Sequence, residues 1–350
     1  MRRRGIVSNA HLSYAMRNEE ARQSLLFLND PTQLMHWTMP LLECLMISGA
    51  LLALAHAWKQ LRSEGSPAYL YTWLATVCYG LIIEILSYNF VDNFWHGEFT
   101  VMLYYNHLPL YIMLLYPAAL YPTFLLVKSF DLPAGLWGRL QEACCIGFIA
   151  QMFYIPFDNL GPMLHWWVWD IEAPSLQPFW YSVPATSYLW MMTLSMSFYL
   201  VARWLLWGKT TRSALGWIGA TVAVGLLTNV GSVAMQMPVT ILGQSFGLHF
   251  AAGALVVLMM LFNALVYWFC PRREGQALET RLLLFPIAWL AFFVVLYSYF
   301  SGDILAAYTQ GRSHLGTPPG NIGLVALALA MVALVFVAPA ARHSMERGQA

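Results

Sequence analysis

Glu84 stands inside the run Leu81-Ile82-Ile83-Glu84-Ile85-Leu86. A carboxylic acid in such surroundings keeps its proton, because burial disfavours the charged form, and can then deliver it to an apolar substrate. Ser87, Tyr88 and Asn89 follow at helical spacing and could hydrogen-bond it. Directly downstream come Val91-Asp92-Asn93-Phe94-Trp95-His96-Gly97-Glu98-Phe99 and Asn106-His107-Leu108-Pro109. A third group is Ile155-Pro156-Phe157-Asp158-Asn159, followed by His165-Trp166-Trp167-Val168-Trp169-Asp170. Carboxylates and imidazoles are general acids and bases, and aromatic faces stabilise cations. The candidate acid–base residues are therefore Glu84, Asp158, Asp92, His96 and His107. The candidate substrate contacts are Tyr88, Trp95, Tyr104, His165, Trp166, Trp167 and Trp169. Glu84, about two helical turns inside its apolar run, is expected to be the acid. Asp158 is expected to begin a loop, to be better hydrated, and to position water or act as a second acid–base group.

The bland roles compete with these. Polar groups such as Glu43, Asn229 and Ser232 can simply hold helices together, and tryptophans collect at membrane interfaces. No HxxH, HxxxH or HExxH spacing appears. No cofactor is expected, and a metal only if separate helices supplied its ligands. The five cysteines form no CxxC pair and read as small buried hydrophobes.

These residues must be positioned by helices in a membrane. Only 10% of residues are charged, against about 25% in soluble domains. Apolar runs of about 20 residues span a hydrocarbon layer. Such runs lie near 40–58, 69–90, 107–127, 136–155, 181–202, 214–236, 247–270, 282–301 and 320–341. The expected fold is an all-α polytopic bundle of about nine transmembrane helices. Residues 1–35 form a polar N-terminal segment and 36–345 a single transmembrane domain. No removable signal peptide is expected before the first span.

Lys59, Arg62, Lys128, Arg139, Arg203, Lys209, Arg212, Arg272, Arg273, Arg281, Arg342 and Arg347 fall on alternate connections. The other connections (91–106, 156–180, 237–246, 302–319) hold only Arg312. The positive-inside rule then puts the C-terminus in the cytoplasm and those four loops outside. Arg2, Arg3, Arg4, Arg17 and Arg22 run against an outer N-terminus. The expected location is the inner membrane of a bacterial cell. A net charge of +1 implies no nucleic-acid partner; the expected partner is a membrane lipid or isoprenoid. Oligomeric state is left open.

Residues 80–200 resemble the membrane carotenoid-biosynthesis proteins of the bisanhydrobacterioruberin hydratase type. The stretches that carry the resemblance are Glu84, Phe94-Trp95-His96-Gly97-Glu98-Phe99, Leu108-Pro109-Leu110, Tyr116-Pro117-Ala118, Asp158-Asn159, Trp167-Val168-Trp169, Val183-Pro184 and Trp190. Asn159 replaces a proline, and Glu98 and Phe99 stand where that family has tyrosines. The resemblance implies hydration of an isoprenoid C=C bond. A neutral acid protonates the bond, aromatic faces hold the tertiary carbocation, and water captures it. An isoprenoid or sterol isomerase or cyclase needs the same acid and cage. A proton-coupled transporter or lipid-binding protein could use Glu84 as a coupling site.

Overall fold

A hydrocarbon layer leaves a polypeptide only its own backbone as hydrogen-bond partner, and a helix satisfies that demand segment by segment. The computed structural model describes residues 24–91, 93–130, 132–208, 212–270, 278–311 and 318–337. The described chain begins with β1 (Leu26–Leu28) and then α1 (Thr38–Glu64). Gly65 ends α1 in the left-handed conformation (φ 66°), and Pro67 starts α2 (Ala68–Leu86). α2 runs on through a π-helical turn at Ser87–Val91. The short strands β2 (Phe94–His96), β3 (Val101–Leu103) and β4 (Leu108–Pro109) follow. α3 (Leu110–Lys128) contains a π-helical turn at Tyr116–Leu120, where Pro117 supplies no N–H.

Beyond α3 lie α4 (Leu136–Leu160), β5 (Trp167–Trp169), β6 (Phe179–Trp180), β7 (Val183–Pro184) and α5 (Ala185–Leu205). Then come α6 (Ala214–Thr240), α7 (His249–Phe269), α8 (Thr280–Tyr299), α9 (Ser301–Gln310) and α10 (Ile322–Val332). α4 packs on α5, α5 on α6, and α6 on α2. The apolar windows of α3 and α4 are 83% buried, against 28% in α2 and α7. Thus α3 and α4 are interior helices, and α2 and α7 carry the apolar outer surface.

The structure differs from the expectations at three points. Nine spans were expected, and among the described residues seven helices are both long and apolar enough to cross a membrane. The run at 181–202 does form α5, but that helix carries Thr186, Ser187, Thr193, Ser195 and Ser197, all buried. It faces protein rather than lipid, so it can hold polar residues. Of the run at 320–341, Ile322–Val337 is helical, and 338–341 lie outside the described residues. The fold is also not purely helical. Short strands pair β1 with β3, β3 with β4, β2 with β5, and β6 with β7. Finally, the 302–319 connection is not all loop, because α9 occupies its first part.

The two ends of the bundle differ as the loop charges predict. The β2–β5 pairing joins loop 91–106 to loop 156–180. The Ser182 amide donates to the Pro319 carbonyl (3.1 Å), and the turn at Pro174–Leu176 packs on Ile241–Ser245. All four connections poor in Lys and Arg therefore meet at one strand-capped end. β1 joins them there. Glu43 on α1 anchors this end by accepting hydrogen bonds from the Thr100 and Val101 amides, both at 3.1 Å. At the opposite, basic end Lys59 Nζ donates to Glu279 (2.7 Å), His56 lies 3.3 Å from the same carboxylate, and Arg139 and Arg203 flank Glu142. Cysteines introduced at Ile171 and Glu64, in a chain lacking its native cysteines, are expected to react with membrane-impermeant reagents from opposite sides. Labelling from one side would refute this topology.

Partial burial works against the charge of Glu279, but Lys59, His56 and Arg281 outweigh it and hold its carboxyl below the usual value of 4.5. A carboxyl held low stabilises the fold above its unfolded value, and that contribution disappears as pH falls through the lower folded value. Glu279→Gln is expected to lower stability by no more than about 1 kcal/mol near neutrality, as for other exposed pairs. The difference from wild type should vanish once the solution is acid enough to protonate the folded carboxyl. Chemical denaturation across that range measures both.

Candidate functional site

Glu84 reaches inward from α2, where Gly80 sits one turn before it. A Cβ on Gly80 would lie 2.3 Å from the Tyr116 ring, so only glycine lets that ring lie along the helix. Tyr116 projects from the π-helical turn of α3, and its hydroxyl donates to Glu84 Oε1 at 3.1 Å. Tyr79 packs edge-on against it with ring centroids 4.8 Å apart.

His96 arrives from β2. The register places Phe94 opposite Trp169, Trp95 opposite Val168, and His96 opposite Trp167. Side chains alternate across a strand, so Phe94, His96, Trp167 and Trp169 share one face. Trp95 and Val168 share the other. The Gly97 amide donates to the Trp166 carbonyl at 2.8 Å, and a Cβ on Gly97 would lie 2.5 Å from the His165 carbonyl. Glycine is therefore needed where the two loops meet. The pairing lowers His96 onto the bundle end, 3.6 Å from Glu84 Oε2. Rings of Tyr88, Phe94, Tyr111 and Trp167 surround the imidazole.

Glu84 and His96 line a cavity of about 210 Å³ between α2, α3, α4, α5 and α6, roofed by β2 and β5. Apart from Ser87, most of its remaining wall is apolar: Phe94, Tyr116, Tyr154, Phe157, Trp167, Trp169 and Trp190, with Ile83, Ile112, Leu115, Met191 and Leu194. Asn229, Ser232 and Gln236 give it a polar strip on α6. Nearer the basic end α2 and α6 touch, since a Cβ on Gly225 would lie 2.9 Å from Cys78 Sγ. Farther along, the lining residues Val91 on the α2 extension and Val233 on α6 are 48% and 60% exposed. The cavity therefore reaches the outer apolar surface sideways, between α2 and α6.

Of the acid–base candidates, Glu84 and His96 come together. Asp92 lies outside the described residues. His107 is exposed and does not line the cavity; its ring is 5.9 Å from that of Tyr88, which stands between it and His96. Asp158 is fully buried within α4 rather than at the start of a hydrated loop. Pro156 is accommodated inside the helix instead of ending it. Asp158 lies behind the wall, beside Tyr154 and Ser187, and neither of its oxygens completes a hydrogen bond of good geometry.

Of the expected substrate contacts, Trp167 and Trp169 line the cavity. Trp95 is turned to the opposite strand face. Trp166 is a buried brace whose indole donates to Thr38 Oγ1 (2.9 Å), and His165 closes a turn at φ 55°. Tyr104 accepts a hydrogen bond from Asn89 (2.8 Å) away from the lining. The sequence reading missed Tyr154, Gln236 and the contact role of Trp190. Tyr154 was signalled by its position four residues before Asp158, on the same helix face. Among the described residues no group of three His, Cys, Asp or Glu side chains could hold a metal ion.

Gly80→Ala forces the Tyr116 ring away from α2 and loosens its hold on Glu84. Overpacking of this kind costs about 1–3 kcal/mol, expected as a lowered thermal midpoint of the detergent-solubilised protein. Gly219→Ala, where a Cβ meets nothing within 4 Å, should leave the midpoint unchanged or slightly raised. Equal effects at both positions would refute the close fit.

No curated protein and no solved structure matches this chain. A family model does match, over residues 23–306, and that region holds every residue of the cavity wall. The chain thus belongs to the family described as a domain of unknown function, DUF7802.

Proposed function

We propose that this chain is a membrane enzyme that hydrates a C=C bond of an isoprenoid, carotenoid-like lipid by acid–base catalysis. One observation carries the reading. Glu84 Oε2 and both ring nitrogens of His96 are buried, belong to side chains 3.6 Å apart on the wall of an aromatic cavity, and make no hydrogen bond. Leaving one buried polar atom unpaired costs about 1–3 kcal/mol. Helix glue would be paired, as Glu43 is.

Protonated Glu84 transfers its proton to one carbon of the double bond, whose π electrons form the new C–H bond. The tertiary cation left on the other carbon faces Phe94, Trp167, Trp169 and Trp190, whose rings stabilise it without attacking it. Water adds through its oxygen, and His96 takes the released proton. That proton passes from His96 to Glu84, which restores the acid. The net change is one water added across the bond. Tyr116, donating to Oε1, orients the carboxyl. The sideways opening supports a substrate that arrives from the bilayer. The resemblance to the carotenoid hydratases supports the same chemistry. The basic residues at the far end support a cytoplasmic C-terminus in a bacterial inner membrane, with the cavity toward the outer leaflet.

Expression in a host that accumulates both lycopene-type polyprenoids and isoprenoid alcohols, followed by mass analysis of extracted lipid, tests the reading. The expected product is heavier by one water. Glu84→Gln keeps shape but delivers no proton, and a lost general acid lowers rate by about 10²–10⁴. Product should fall accordingly while the amount of inserted protein stays constant. A product of unchanged mass would favour the isomerase, with His96 removing a proton from a neighbouring carbon. Wild-type turnover by Glu84→Gln would remove Glu84 from the chemistry.

A further inference from the structure

The cavity has a second polar wall, on α6. Asn229, Ser232 and Gln236 share one helix face there. Asn229 is 6% exposed. Its Nδ2 donates to the Gly225 carbonyl at 2.8 Å, which fixes the amide orientation, and its Oδ1 has no partner. Gln236 Nε2 donates to Thr193 Oγ1 (2.9 Å) and to Ser232 Oγ (2.7 Å), so both amide hydrogens are engaged. The Thr193 hydroxyl donates to the Leu189 carbonyl (2.9 Å), which makes Ser232 the donor in its 2.9 Å contact with Thr193.

Both Gln236 amide hydrogens, the Ser232 hydroxyl and one of the two Asn229 amide hydrogens are thus bonded within the protein. Asn229 Oδ1 and Gln236 Oε1 remain as acceptors, about 10 Å apart along the helix from its rise per residue. The unpartnered Asn229 Oδ1 accepts from an O–H group. An alcohol can donate to it and accept from the remaining Asn229 N–H, an ether or carbonyl oxygen can only accept, and a hydrocarbon can do neither.

We propose that this wall is a hydroxyl-recognition subsite, and that the ligand of the cavity is an isoprenoid alcohol rather than a pure hydrocarbon. This deepens the hydratase reading by naming the substrate class, and rests on the same cavity holding the substrate. Glu84 and His96 on the α2 and β2 side act on the chain, while Asn229 on the α6 side holds the hydroxyl and sets which double bond meets the acid.

Binding separates this subsite from catalysis. Full-length protein carrying Glu84→Gln, reconstituted in lipid nanodiscs, is titrated with farnesol, farnesyl methyl ether and farnesene while tryptophan fluorescence is followed. Farnesol is expected to bind about tenfold more tightly than either of the others, the ratio for one hydrogen bond. Asn229→Leu should erase that preference and leave farnesene affinity in place. Asn229→Ala, a smaller change, gives the same reading should the leucine variant fail to insert. Equal affinity for alcohol and ether, tighter binding of farnesene, binding of none of the three, or a preference that survives both substitutions overturns the proposal. A wild-type chain that yields no hydrated lipid would refute the hydratase while leaving these ratios standing, so the two readings fail separately.

Discussion

The pairing of two three-residue strands decides what the rest of the bundle can do. β2 and β5 come from different loops, and neither could persist alone in water. Joined, they roof the bundle and throw Phe94, His96, Trp167 and Trp169 onto one face. Glycines make the join possible. A Cβ on Gly97 would strike the His165 carbonyl, and one on Gly161 would lie 2.1 Å from the Trp167 indole. Without this roof Glu84 would have its tyrosine but no imidazole, and the aromatic cage would lack two of its tryptophans.

Below the roof, the helices are spaced by small residues and bent by irregular turns. Gly225 lets α6 approach Cys78 of α2, and Gly80 lets the Tyr116 ring approach α2. The π-helical turns at Ser87–Val91, Tyr116–Leu120 and Ile241–Ser245 all lie in helices that line or border the cavity. Each widens the helix locally and redirects the side chains that follow, a device common where a helix must present groups to a ligand. Tight contact near the basic end and irregular helix toward the strand-capped end leave space on one side only.

Much of this was legible in the residues, for a physical reason. Lipid permits few solutions, so apolar runs of span length became helices close to their expected limits. Glu84 announced itself because a charge in such a run must be sheltered. Glu43 proved to be the glue it could have been. The strands were not legible, since two or three residues carry no periodicity and their pairing is set by a loop some 70 residues away. That is why Trp95 was placed in the site; a period of two turns it away while keeping its neighbours. Asp158 was misjudged because Pro156 and Asn159 look like loop residues. In fact the helix carries the proline, and Asn159 braces α10 by accepting the Asn321 amide at 2.7 Å. Polar residues on α6 looked like ordinary helix contacts, and only the bundle shows that they share a cavity with Glu84.

For the lipid substrate proposed above, the sideways opening between α2 and α6 changes what concentration means. A cavity that opens to hydrocarbon samples molecules dissolved in the bilayer, so its occupancy follows their mole fraction among lipids rather than their molarity in water. Encounter is a two-dimensional search, in which the lipid area around each protein is the solvent. Adding inert lipid at fixed protein and fixed ligand would lower occupancy by surface dilution alone. The affinity of such a site is a property of the protein and its membrane together.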